Sequence, residues 1–99
     1  MPVTVLKLVT GEELIAQISE HDVEVGLNAD SIYLTKPRIV ALSQQNGEVM
    51  MQLIPFIKCD PDANFQCYTH GIAGRVRTVV PTHIEKAYLE QTSGIQLIK

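Results

Sequence analysis

Four cationic side chains carry the first chemical signal of this chain. Arg75 and Arg77 stand two apart in a stretch with strand character, and Lys36 and Arg38 repeat that spacing in another. Side chains alternate across a strand, so each pair points to one face. Two such cations on one face can track a phosphate backbone, and repetition around an assembly would add weak contacts by avidity. The same spacing also fits a solvated strand face on which Lys discourages edge pairing. Tyr33 and Tyr68 offer rings on which a base could stack. The competing reading is half-buried core tyrosines in a chain short of aromatics.

Other chemistries are weaker. Cys59, Cys67 and His70 supply metal-ligating atoms, but the Cys spacing matches no zinc knuckle and no fourth ligand is evident. Asp60-x-Asp62-x-Asn64 opens like a calcium loop. Phe65 then stands where the sharp turn needs Gly, and Gly71 falls where the bidentate Glu should be. No metal and no cofactor is expected. Ser19, Ser31, Ser43 and Ser93 sit in no nucleophile elbow, and no Gly-rich phosphate loop occurs. Glu12 and Glu13 are adjacent, so on a strand they point to opposite faces. The chain is read as a non-enzyme.

Composition narrows the field further. Ninety-nine residues is one domain's length, 1–99, with 45% apolar and 19% charged residues. A net charge of −3 argues against a dedicated duplex binder, which needs clustered Lys and Arg. No basic-then-apolar leader opens the chain, and no apolar run approaches the roughly 18 residues of a membrane span. The expectation is a cytoplasmic protein without membrane contact, and with Cys59 and Cys67 reduced.

The elements that must position these residues are mostly strands. Alternation predicts strands over 3–9, 13–19, 31–44, 48–57 and 71–80, with loops over 21–30 and 58–70. Gly11 marks the first reversal, where only Gly adopts positive φ without steric cost. Asn46-Gly47 is a strong hairpin signal, and Lys36-Pro37 predicts a bend or bulge in the third strand. Thr82-His83-Ile84-Glu85 reads as a capping box opening a helix over 82–93, with Ser93-Gly94 as its stop. The tail Ile95-Gln96-Leu97-Ile98 is apolar enough to pack back on the domain. The 48–57 strand is apolar on both faces, so it is buried on both sides or covered by something else. Five bent strands in meander order make a small, open barrel, and its two edges invite edge-to-edge assembly into a homomeric ring.

At this point the residues resemble the Sm-like family, including its bacterial Hfq branch. Leu6 to Ile18, with Gly11 at the turn, is similar to the first Sm motif. Tyr68-Thr69-His70-Gly71-Ile72 and Thr78-Val79-Val80-Pro81-Thr82 are similar to the second motif as Hfq writes it. The whole chain is similar to small Sm-like proteins of tailed phages of marine cyanobacteria. The resemblance implies a strongly bent, five-stranded Sm-like (SH3-type) open barrel, here followed by a C-terminal helix. It also implies strand-to-strand rings that bind single-stranded RNA, with His70 near the pore as a donor to a base or phosphate. The expected RNA contacts are therefore Lys36, Arg38, Tyr68, His70, Arg75 and Arg77. The alternative is a homo-oligomeric scaffold that meets other proteins and no nucleic acid. If the chain is phage-encoded, its compartment is the host cytoplasm.

Overall fold

The computed structural model describes residues 2–25, 28–76 and 80–93. The first hairpin forms where alternation predicts it. Strand β1 (Val3–Leu8) pairs antiparallel with β2 (Glu13–Ile18), in register from Val3↔Gln17 to Lys7↔Glu13. Gly11 takes φ +106, and its N–H donates to the Leu8 carbonyl across the turn. That backbone conformation is open to Gly and strained for any residue with a Cβ.

Helix α1 (Glu20–Val25) follows, where the sequence predicts a loop. Its start is a side-chain cap: Ser19 Oγ accepts from the Asp22 N–H at 3.1 Å, and the Val23 N–H donates to the Ser19 carbonyl. Asp22 is buried, and its carboxylate accepts the Tyr33 N–H. A six-residue helix with no apolar stripe gives no periodic signal, which is why alternation misses it.

Strand β3 (Ser31–Gln45) is the spine of the sheet. It lies against β2 on one flank, and on the other it carries two partners in turn. Strand β4 (Glu48–Pro55) pairs with Arg38–Gln45, and β5 (Asn64–Tyr68) pairs with Ser31–Thr35. Strand β5 corrects the loop predicted over 58–70. Phe65 and Cys67 face inward while its other residues face solvent, a five-residue alternation hidden between turn-forming residues. The predicted bend lies between the two partners: Lys36 adopts φ +54, and the β2–β3 register shifts beside it. Asn46 and Gly47, at φ +53 and +82, make the two-residue hairpin turn that their types demand.

A 3-10 turn at Thr69–Gly71 leads into β6 (Ile72–Arg75), which pairs with β1. The strand predicted over 71–80 is thus shorter at its described end, and Arg77 to Val79 lie outside the described residues. So does the tail predicted to pack back on the domain. Helix α2 (Thr82–Ser93) starts where predicted and runs to the last described residue, and Gly94 of its predicted stop lies outside the described residues. The Glu85 N–H goes to the Pro81 carbonyl rather than to the Thr82 hydroxyl.

Among the described residues the result is one antiparallel sheet of six strands, ordered β4-β3-β2-β1-β6 with β5 also on β3. Five strands in simple meander order were expected. The sheet is not closed, because β4 and β6 end it on opposite sides. Its two faces hold separate cores. Leu6, Leu14, Ala16, Ile18, Ile32, Leu34, Cys67 and Ile72 form one, which joins residues of β5 to residues of β6 and therefore requires a curled sheet. Val5, Ile15, Val80 and Tyr88 form the other, under α2. No helix among the described residues is long and apolar enough to cross a membrane.

Candidate functional site

Of the six predicted contacts, Arg77 lies outside the described residues, and four of the other five fall into two groups. Lys36 and Arg38 are engaged inside the fold. Arg38 is only 4% exposed. Its Nε donates to Gln91 Oε1 at 3.0 Å, Nη1 to the carbonyls of Pro61 at 2.6 Å and Pro37 at 3.2 Å, and Nη2 to Asp62 Oδ1 at 2.9 Å. Lys36 Nζ donates to the Thr92 carbonyl at 2.9 Å, near the end of α2 where a cation is favoured. The two-residue spacing that reads as a phosphate-tracking pair assumes a regular pleat. The positive φ at Lys36 breaks that pleat.

These contacts bolt α2 to the bend of β3. Tyr88, fully buried, sets its hydroxyl 2.8 Å from the Lys36 carbonyl and 3.1 Å from that of Thr35. Burial pushes this hydroxyl up to about 12, with the nearby Arg38 charge acting in the opposite direction. Gln91 Nε2 reaches the Leu53 carbonyl at 2.9 Å, and Thr92 Oγ1 donates back to the Tyr88 carbonyl. A non-glycine residue at positive φ costs roughly 1–2 kcal/mol. At Lys36 the N–H, the carbonyl and the ammonium all have partners that hold it there.

Tyr68 and His70 form the second group, and they do meet. Their rings stack with centroids 5.9 Å apart and planes at 23°. Tyr68 is 56% exposed and Tyr33 is 50% exposed. The register Ser31↔Tyr68 and Tyr33↔Gln66 puts both tyrosines on the same solvent-facing side of β3 and β5. Neither is the half-buried core tyrosine of the competing reading. Arg75, at the end of β6, is half-buried opposite Leu6. No Lys or Arg lies on the β5 strand that carries Tyr68.

Cys59 is exposed and Cys67 sits in the inner core, its thiol pushed up by desolvation. Among the described residues, no group of three or more His, Cys, Asp or Glu side chains converges as a metal site.

The outer edge of β4, a strand whose two-sided apolar pattern predicts burial on both sides or a cover, has neither among the described residues. In a two-residue hairpin the residues flanking the turn, here Gln45 and Glu48, form a hydrogen-bonded pair, and bonding alternates from there. Glu48, Met50, Gln52 and Ile54 thus bond to β3, while Val49, Met51 and Leu53 turn their N–H and C=O outward. Two hydrogen bonds fix the same phase. The Phe56 N–H continues the inward set by donating to the Pro37 carbonyl, and the Leu53 carbonyl is free to accept Gln91. Pro55 falls in the outward set, where its missing N–H leaves the ladder with β3 intact. The side chains are as uncovered as the backbone: Val49, Met50 and Ile54 are exposed on β4, as is Leu42 beside them on β3. On the α2 side, Lys7, Val40, Leu42, Met51 and Ile84 line a shallow open depression.

No protein-family model matches this sequence, and no curated protein matches it either.

Proposed function

We propose that this chain is a homo-oligomeric interaction module whose assembly surface is the outer edge of β4. One observation carries the reading. From Val49 to Ile57 the chain has no charged residue, and the part of it in β4 is, among the described residues, an unpaired edge with exposed apolar side chains on both faces. Natural sheets guard such edges with charge, proline or a cover. Here Glu48 and Pro55 stand only at the two ends. A second copy supplies the missing cover, which fits the scaffold reading and the acidic net charge.

The Sm-like barrel belongs to this proposal. Strands β4 and β5 lie end to end along one flank of β3, and residues 56–63 bulge out between them. Counted as one interrupted strand, they return the six strands to the five of an Sm-like sheet, a fold that assembles strand to strand.

Light scattering on a sizing column tests the assembly. The wild-type chain is expected to elute at a multiple of 11.0 kDa. Val49→Lys with Met50→Lys, both exposed positions, is expected to give a monomer of unchanged fold. A wild-type monomer at high concentration contradicts the proposal.

A second reading, single-stranded RNA binding, is favoured by the exposed Tyr68–His70 stack, with Arg75 as the phosphate contact. Gel shifts with short U-rich and A-rich oligonucleotides at low salt test it. Binding lost in Tyr68→Ala would support it, and no shift at micromolar protein would end it.

A further inference from the structure

We infer that β4 pairs with β4 of a second copy, antiparallel about a two-fold axis through Met51. This rests on the proposed self-assembly and specifies its geometry. The outward backbone groups sit at Val49, Met51 and Leu53, a window symmetric about Met51. An antiparallel mate centred there sets Val49 against Leu53, Met51 against Met51, and Leu53 against Val49, so that the outward N–H and C=O of all three find partners and only the Pro55 carbonyl falls beyond the joined ladder. The Leu53 carbonyl already accepts Gln91 Nε2, and its second lone pair is available to the mate.

The register is restricted at both ends. An axis shifted to Gln52 makes no more bonds and sets Pro55 opposite Val49, where the ring carbon that replaces the N–H crowds the Val49 carbonyl of the mate. An axis shifted to Met50 sets Gly47 opposite Leu53, but Gly47 lies in the turn at φ +82 and has left the strand. The Met51 axis also suits the side chains. On the α2 side it builds a continuous apolar row, Leu42 and Met51 of one copy meeting Met51 and Leu42 of the other. The two Glu48 side chains fall at opposite ends of the joined ladder, so no like charges meet.

The rival mate, β6, is poorer. It has four residues, its pairing to β1 shifts register at Lys7/Leu8, and it includes Gly74 and Arg75. A β4–β6 contact is head-to-tail and closes only as a ring, whereas β4–β4 closes as a dimer.

A disulfide across the axis tests this directly. Opposed residues of a hydrogen-bonded antiparallel pair have Cα atoms about 5.5 Å apart, within the span of a disulfide. In a Cys59→Ser background, which removes the exposed native thiol, Met51→Cys oxidised with glutathione disulfide is expected to run almost wholly as a covalent dimer on a non-reducing gel. Val49→Cys alone is expected to stay unlinked, and an equal mixture of Val49→Cys and Leu53→Cys to link. The mixture decides the matter if Met51→Cys does not fold. A wild-type oligomer in which neither arrangement links, or one larger than a dimer, overturns the two-fold axis and leaves self-assembly standing. A wild-type monomer overturns both.

Discussion

The molecule contains two antiparallel hairpins that are apolar on both faces, and their fates differ. In the β1–β2 hairpin, Leu14 and Ile15 are both 0% exposed, one in each core. Both of its outer flanks are paired, β1 with β6 and β2 with β3. In the outer half of the β3–β4 hairpin, Leu42 is 71% and Val49 67% exposed, and no described strand pairs with the outer flank of β4. Similar composition thus yields a core in one place and an uncovered edge in the other. The difference is supplied by the rest of the chain: the curled sheet covers one face of β1–β2 and α2 covers the opposite face, and neither extends to the hairpin tip.

The largest effects should fall on the covered hairpin and its fastening. Leu14→Ala, measured in the Val49→Lys/Met50→Lys background so that assembly does not contribute, is expected to lower unfolding stability in urea by about 3–4 kcal/mol. Arg38→Ala is expected to cost roughly 3 kcal/mol in the same assay. It removes a side chain that is 4% exposed together with its packing, and takes the donor from the buried Pro37 carbonyl and from the partly exposed acceptors of Gln91, Pro61 and Asp62. A loss within the error of the assay would return Arg38 to the surface cations available for RNA.

A pH series probes the same fastening. The Tyr88 hydroxyl is raised from 10.0 to about 12, so the folded state holds its proton where the unfolded chain has released it. Its contribution is therefore complete below about pH 10 and is lost as pH rises from there through 12, about 2–3 kcal/mol in all. The Cys67 thiol, also pushed up by burial, adds a loss of the same sign. Urea midpoints at pH 8 and pH 11.5 should show the fall, and Tyr88→Phe should flatten it. The smallest effect belongs to the open hairpin: Leu42→Gln in the monomeric background should change stability by less than about 0.5 kcal/mol, yet weaken assembly of the otherwise native chain.

How much of this was legible in the sequence depends on the range of the interaction. The turns at Gly11 and Asn46-Gly47, the bend at Lys36-Pro37 and the start of α2 are local, and all of them read correctly. Helix α1 left one faint mark, the Ser19-x-x-Asp22 cap, without an apolar stripe to support it. Strand β5 was masked by the Asp60-Pro61-Asp62 turn residues beside it. The partners of Arg38 stand 53 residues away at Gln91 and 24 away at Asp62, so no spacing rule could have found them. The two-sided apolar pattern of 48–57 predicts burial on both sides or a cover. That the described chain does not supply one became visible only with the fold.

Amide hydrogen exchange along β4, read residue by residue by NMR at low and high protein concentration, tests the central claim most directly. Met50, Gln52 and Ile54 bond to β3 and should be protected at every concentration. The account predicts that Val49, Met51 and Leu53 exchange freely when dilute and gain protection as concentration rises. Free exchange of those three amides at every concentration would contradict it.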